Sequence, residues 1–199
     1  TPSTGGQNKY KINSGYATSL YLGQPVQYDT AGGANTDPGY VISGQDAITR
    51  PTVGVFNGCF YTDANTNKPT FSSFFPRTTA PANAEDIDAF IIDNPFQQYN
   101  VQLSTRLAAT AILAQAEMGK TLGLTVSANG AGSAASGSTL SGQSNSQLTV
   151  GTGATGIQNQ WRLLRSAEDP ENEDLITLPQ LNPALAAFSG LATVVVVAN

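Results

Sequence analysis

The run Val53-Gly54-Val55-Phe56-Asn57-Gly58-Cys59-Phe60-Tyr61 constrains this chain more than any other stretch. Its β-branched and aromatic residues favour a strand. The two glycines inside it mark a bulge or the close approach of another backbone. Residues 62–68 are turn formers, and residues 69–75 carry Phe71, Phe74 and Phe75. Two such runs around one turn predict a hairpin.

The same pattern recurs along the chain. Tyr10 and Ile12 alternate with Lys9 and Lys11, as in a half-buried strand. Short strands are expected over 19–22 and 26–28, on either side of Gly23-Gln24-Pro25, with weaker signals at 40–42 and 47–49 after the loop 30–39. Residues 86–92 read as a strand stopped by Asp93-Asn94-Pro95, and 99–103, 121–127, 147–150, 161–164, 175–178 and 191–198 read as further strands. Val194 to Val197 are four valines in a row. A strand that apolar needs cover on both faces, inside the fold or under a partner. The spacing predicts one helix, over 104–118, where Leu107 and Ala111 share a face, Ser104 can cap the start and Gly119 can follow the end.

Residues 1–8 read as a flexible N-terminal arm, since beyond Pro2 they offer nothing apolar to bury. Residues 9–199 read as a single β-rich domain with a Gly/Ser-rich loop over 128–142. The expected fold is mainly β, a β-sandwich or barrel-like form with the jelly roll among the candidates, carrying one short helix.

Composition excludes several functions. Among 199 residues there is no histidine and one cysteine, Cys59. That removes His-based triads and general bases, disulfide frameworks and multi-Cys metal sites. Charged residues are 12% of the chain against a usual share of about 25%. The net charge of −5 gives no electrostatic footprint for nucleic acid or an anionic membrane. The arm lacks the apolar stretch of a signal peptide, no run has the length of a membrane span, and no Asn-x-Ser/Thr sequon occurs. The residues therefore point to a non-enzymatic protein with no catalytic residue, no cofactor and no metal site.

Four local patterns invite a chemical reading, and each has a plainer one. Gly151, Gly153 and Gly156 match the dinucleotide-binding string, but no strand–helix unit surrounds them. Asp63-Ala64-Asn65-Thr66-Asn67 begins like a calcium loop, yet Lys68 and Phe74 stand where Gly and Glu are required, so a hairpin turn is expected. Glu168, Asp169, Glu171, Glu173 and Asp174 form an acidic run, either a cation site or a solvated loop. Asp86 and Asp88 share one strand face and Asp93 follows, an arrangement that also admits a carboxylate pair. Cys59 is expected to be buried and inert, and Trp161 to sit in the core with Arg162 and Arg165 outward.

Five segments together resemble the decoration, or cement, proteins of tailed-bacteriophage capsids. They are Ser14-Gly15-Tyr16 leading to Leu22-Gly23-Gln24-Pro25-Val26; the run from Val53 to Thr62 with Lys68-Pro69-Thr70-Phe71; Asp88-Ala89-Phe90-Ile91-Ile92-Asp93-Asn94-Pro95; the loop ending Gly137-Ser138-Thr139-Leu140-Ser141-Gly142-Gln143-Ser144; and Trp161-Arg162-Leu163-Leu164 before the terminal valine strand. The resemblance implies a virion structural protein made in the host cytoplasm. It would bind the outside of the capsid, often as a homotrimer, and clamp neighbouring major capsid proteins. It brings no catalytic residues.

Two other readings compete. One is a carbohydrate-binding or host-attachment β-module, with Tyr10, Tyr16, Tyr21, Tyr28 and Tyr40 as stacking residues. The other is a hydrolase using Asp86, Asp88 or the 168–174 run.

Overall fold

A computed structural model describes residues 6–13, 15–29, 39–44, 52–76, 87–102, 119, 121–125, 137, 140–150, 161–166 and 193–198. The expected helix over 104–118, the strands at 47–49 and 175–178, the glycine string 151–156 and the acidic run 168–174 lie outside the described residues. The described part is mainly β and contains no helix.

The chain, read above as one domain from residue 9, divides into two compact units. One comprises Thr1–Gln97 with Val126–Ser146, the other Gln98–Thr125 with Gln147–Asn199. Each is built on one antiparallel sheet.

The first sheet holds β1 (Gln7–Ile12), β2 (Pro25–Tyr28), β3 (Val41–Ser43), β4 (Thr52–Thr62), β5 (Pro69–Ser72) and β6 (Ile87–Ile92). Their spatial order is β1-β6-β4-β2-β3, with β5 paired to β4. The predicted hairpin is β4–β5, in register from Cys59–Ser72 to Thr62–Pro69. The sheet is not closed into a barrel: one parallel bridge, Lys11 to Tyr40, joins β1 to the residue before β3. Residues 19–22 form no ladder, and contribute isolated bridges from Leu20 to Phe75 and from Leu22 to Gln143.

The start of β1 corrects the arm. Gln7 and Asn8, placed in the arm by their polarity, pair with Ile92 and Ile91 at the edge of the sheet. Backbone hydrogen bonding, not side-chain burial, fixes them there, since both side chains are exposed. Residues 1–5 lie outside the described residues.

Alternation along β6 shows how the core is assembled. Ile87, Ala89 and Ile91 are buried, while Asp88, Phe90 and Ile92 turn to the other face. The inward set packs with Ile12, Val26, Val41, Phe56, Cys59 and Tyr61, and with Leu20 and Phe75 beside the sheet. A fully buried Ile or Phe contributes about 1.5–3 kcal/mol by leaving water.

The second sheet orders β7 (Gln98–Gln102), β11 (Thr193–Ala198), β10 (Trp161–Ser166), β8 (Thr121–Thr125) and β9 (Gln147–Val150) as β7-β11-β10-β8-β9. Leu122, Leu124, Leu148, Trp161 and Leu163 are buried, and Arg162 between the last two is exposed. The Trp161 indole meets Tyr99 edge-on at 5.7 Å and 83°. The valine strand β11 is interior, with β7 on one edge and β10 on the other. Val194 and Val196 occupy register positions opposite Val101 and Tyr99, Val195 and Val197 positions opposite the exposed Asn100 and Gln98.

Candidate functional site: an aromatic face on the first sheet

The bulge that the glycines of β4 predict sits at Asn57–Gly58. The β4–β6 register shifts between Phe56 and Cys59, so Asn57 and Gly58 together stand against the single residue Phe90, one residue in excess. A regular strand would aim Phe56 and Phe60, four residues apart, to the same side. The extra residue reverses the parity: Phe56 is fully buried and Phe60 is 41% exposed.

Gly58 also makes room above the sheet. It stands at φ +125°, and a Cβ there would lie 3.0 Å from Phe71 Cζ and 2.9 Å from the Ser72 carbonyl oxygen. The Phe71 ring therefore lies over Gly58. It reaches across β4 to Phe90 on β6, with ring centroids 6.0 Å apart and planes tilted by 42°. Phe71 is 63% exposed.

Strand register sets the rest of this face. Phe71, Phe60, Asp88 and Lys11 occupy successive cross-strand positions on β5, β4, β6 and β1. Phe90 is opposite Lys9 in the neighbouring row. Asp88 accepts Lys9 Nζ at 2.6 Å and Lys11 Nζ at 3.5 Å. The result is three phenyl rings beside a carboxylate held between two ammonium groups.

The other carboxylates that sequence singled out serve the architecture where they are described. Asp93 accepts both Oδ bonds from Asn8 Nδ2, at 3.0 and 2.9 Å, and the Tyr10 hydroxyl at 2.8 Å. It thereby fastens β1 to the end of β6. Burial, and then the hydrogen bond to Asp93, push the Tyr10 hydroxyl well above its ordinary pKa. Asp63 accepts the amides of Asn65 and Thr66, both at 2.8 Å, which holds its carboxyl below the usual range. This is the hairpin turn in place of a calcium loop. Asp86 lies outside the described residues, so only Asp88 of the carboxylate pair is placed.

Cys59 is buried, donates at 3.6 Å to the Phe74 carbonyl, and its thiol is pushed up to about 12 by burial. A thiol so disfavoured as thiolate is a poor nucleophile. Among the described residues no group of His, Cys, Asp and Glu is placed to hold a metal, and no helix is long and apolar enough to cross a membrane.

A second polar cluster is internal. Gln24, fully buried, accepts the Tyr21 amide at 2.9 Å and donates to Ser43 Oγ at 2.7 Å, while the Ser43 amide donates to the Tyr16 hydroxyl at 2.8 Å. It satisfies buried donors and acceptors where the turn Tyr21–Gln24 enters β2.

The proposed tyrosine platform does not form. Tyr21 and Tyr40 are buried at 1% and 8% exposure, Tyr16 is engaged with Ser43, and of the five only Tyr28 is exposed. Proximity in sequence carries no information about which face a side chain takes. The aromatic face uses phenylalanines from three strands instead. Its sequence signal was the Asn57-Gly58 bulge, which inverts the facing of Phe60.

No protein family, no curated protein and no solved structure matches this chain.

Proposed function

We propose that the chain is a non-enzymatic virion structural protein of the decoration type, which binds the outside of a tailed-phage capsid and stabilises contacts between major capsid proteins. One observation carries the reading. Asp63 and Asp93 have their carboxylates committed to a turn and to strand pairing, which suits a protein that works through surfaces and not through a reacting group. The five resembling segments support it. Their described parts form the turn into β2, the β4–β5 hairpin, β6 with its terminal Asp93, the Gly137–Ser144 bridge and the β10–β11 pair. All but the Gly137–Ser144 bridge belong to or adjoin the two sheets.

Self-association, as a trimer by the resemblance, belongs to the same proposal. Val195 and Val197 hold register positions opposite Asn100 and Gln98, and Val197 also one opposite Arg162; all three of these partners are exposed, and apolar residues at such positions would gain from cover by a neighbouring copy.

The test is co-sedimentation. Heads assembled from the genome that encodes the chain, but lacking its gene, are mixed with purified protein and pelleted. Saturable binding at a fixed ratio to the major capsid protein is expected. Protein that stays in the supernatant at micromolar concentration refutes the proposal.

A further inference from the structure

The aromatic face of the first sheet has a composition that capsid binding does not require. Large apolar side chains grouped on a surface mark an interaction site, and Phe60 and Phe71 are 41% and 63% exposed. The rings stand on strands, and Phe71 is further held over Gly58 and against Phe90. Binding there would need little ordering of the protein.

The polar groups on the face identify the occupant. Asp88 lies at the centre, between Phe60 and Lys11 in its row, and both lysines are drawn to it. A nucleic-acid strand stacking on the rings would find the two lysines of the face already engaged by Asp88, on a chain that carries −5 overall. A wholly apolar partner would have to desolvate the Lys9–Asp88 pair, at a cost the pair's attraction need not recover. A neutral sugar meets neither obstacle. A pyranose ring has an apolar C–H face that fits a phenyl ring and an equatorial rim of hydroxyls. Asp88 can accept from those hydroxyls, and Lys9 and Lys11 can donate to them. Phe71 on β5 and Lys11 on β1 are three strand spacings apart, about 14 Å, which gives length for a short oligosaccharide.

We propose that the outer face formed by Phe60, Phe71 and Phe90 with Lys9, Lys11 and Asp88 is a binding platform for a neutral glycan. The sugars stack on the rings of β4, β5 and β6, and the ion-paired row on β6 and β1 reads their hydroxyls. This assignment is independent of whether the chain resides on a capsid.

The test uses the full chain on an array of neutral and anionic glycans, followed by calorimetric titration of the best neutral oligosaccharide. Selective neutral hits are expected. Phe71→Ala and Phe60→Ala should each weaken binding at least tenfold with an unchanged circular dichroism spectrum, while Phe71→Tyr, which keeps a ring, should bind within about threefold of the parent. Absence of any selective neutral glycan overturns the proposal, as does undiminished binding by both alanine variants. Tight, salt-sensitive binding of a single-stranded oligothymidine lost in Phe71→Ala would assign the face to nucleic acid instead. A parent oligomer that Phe71→Ala converts to monomer, with no glycan bound, would assign it to a contact between copies.

Discussion

Replacing Gly58 by alanine tests the bulge on which both the core and the aromatic face depend. Two costs add. At φ +125° an L-residue is strained by about 1–3 kcal/mol. The new methyl would also stand 2.9 Å from the Ser72 carbonyl oxygen and 3.0 Å from Phe71 Cζ, so β5 or the ring must move, and overpacking of this kind costs about 1–3 kcal/mol. β5 is short and the ring is exposed, so part of the second cost is relieved by movement. The expected loss is about 3 kcal/mol. With denaturant slopes of about 1–3 kcal/mol per molar urea, the midpoint falls by about 1–3 M. Backbone circular dichroism is the readout, because the single tryptophan, Trp161, belongs to the other unit. Gly23→Ala is the control: φ is +84° but nothing lies within 4 Å of the added methyl, so only the backbone term of about 1 kcal/mol applies. In a Phe71→Ala background, Gly58→Ala should cost about 1 kcal/mol less than in the parent, since the ring is no longer displaced. Equal costs for Gly58→Ala and Gly23→Ala, with no coupling to Phe71, would show that the ring does not lie over the bulge.

Three further outcomes are expected. Cys59 should resist an aromatic disulfide reagent in the folded protein at pH 8 and react fully in urea, since burial raises its thiol to about 12; rapid labelling of folded protein would contradict its placement. Tyr10 has a folded pKa raised above its unfolded value of about 10, so its contribution is present below pH 10 and disappears as pH rises through the folded value. Tyr10→Phe should therefore cost about 1 kcal/mol at pH 7 and less in strong alkali, as measured by urea midpoints at both pH values. Val194→Asp with Val196→Asp should unfold the second unit, because those register positions adjoin the buried Leu163 face, whereas Val195→Asp with Val197→Asp should leave a folded protein with reduced self-association by sedimentation velocity; identical behaviour of the two pairs would contradict the register.

Much of the fold was legible because β-strands write their burial in period two. Lys9 to Ile12 and Trp161-Arg162-Leu163 alternate, and each is a strand with its apolar residues inward; Ile87 to Ile92 is a strand of the same period whose outer set also holds Phe90 and Ile92. The valine run read as a strand, and the structure pairs it inside the second sheet between β7 and β10. What could not be read depends on geometry that skips or inverts the period. Gln7 and Asn8 have no apolar signal, yet their backbone completes the sheet edge opposite Ile92 and Ile91. Phe56 and Phe60 share a parity that the bulge breaks, so the exposed phenylalanines pass for core. Gln24, fully buried in the first unit, looks like a loop residue until Ser43 and the Tyr21 amide are placed around it.

A place on the capsid exterior can be read by quantitative mass spectrometry of density-purified particles produced by the genome that encodes this chain. The chain is expected in a fixed whole-number proportion to the major capsid protein, removable by protease from intact particles without release of the packaged genome. Its absence from the particles, or its presence only in trace and variable amounts, would refute that placement.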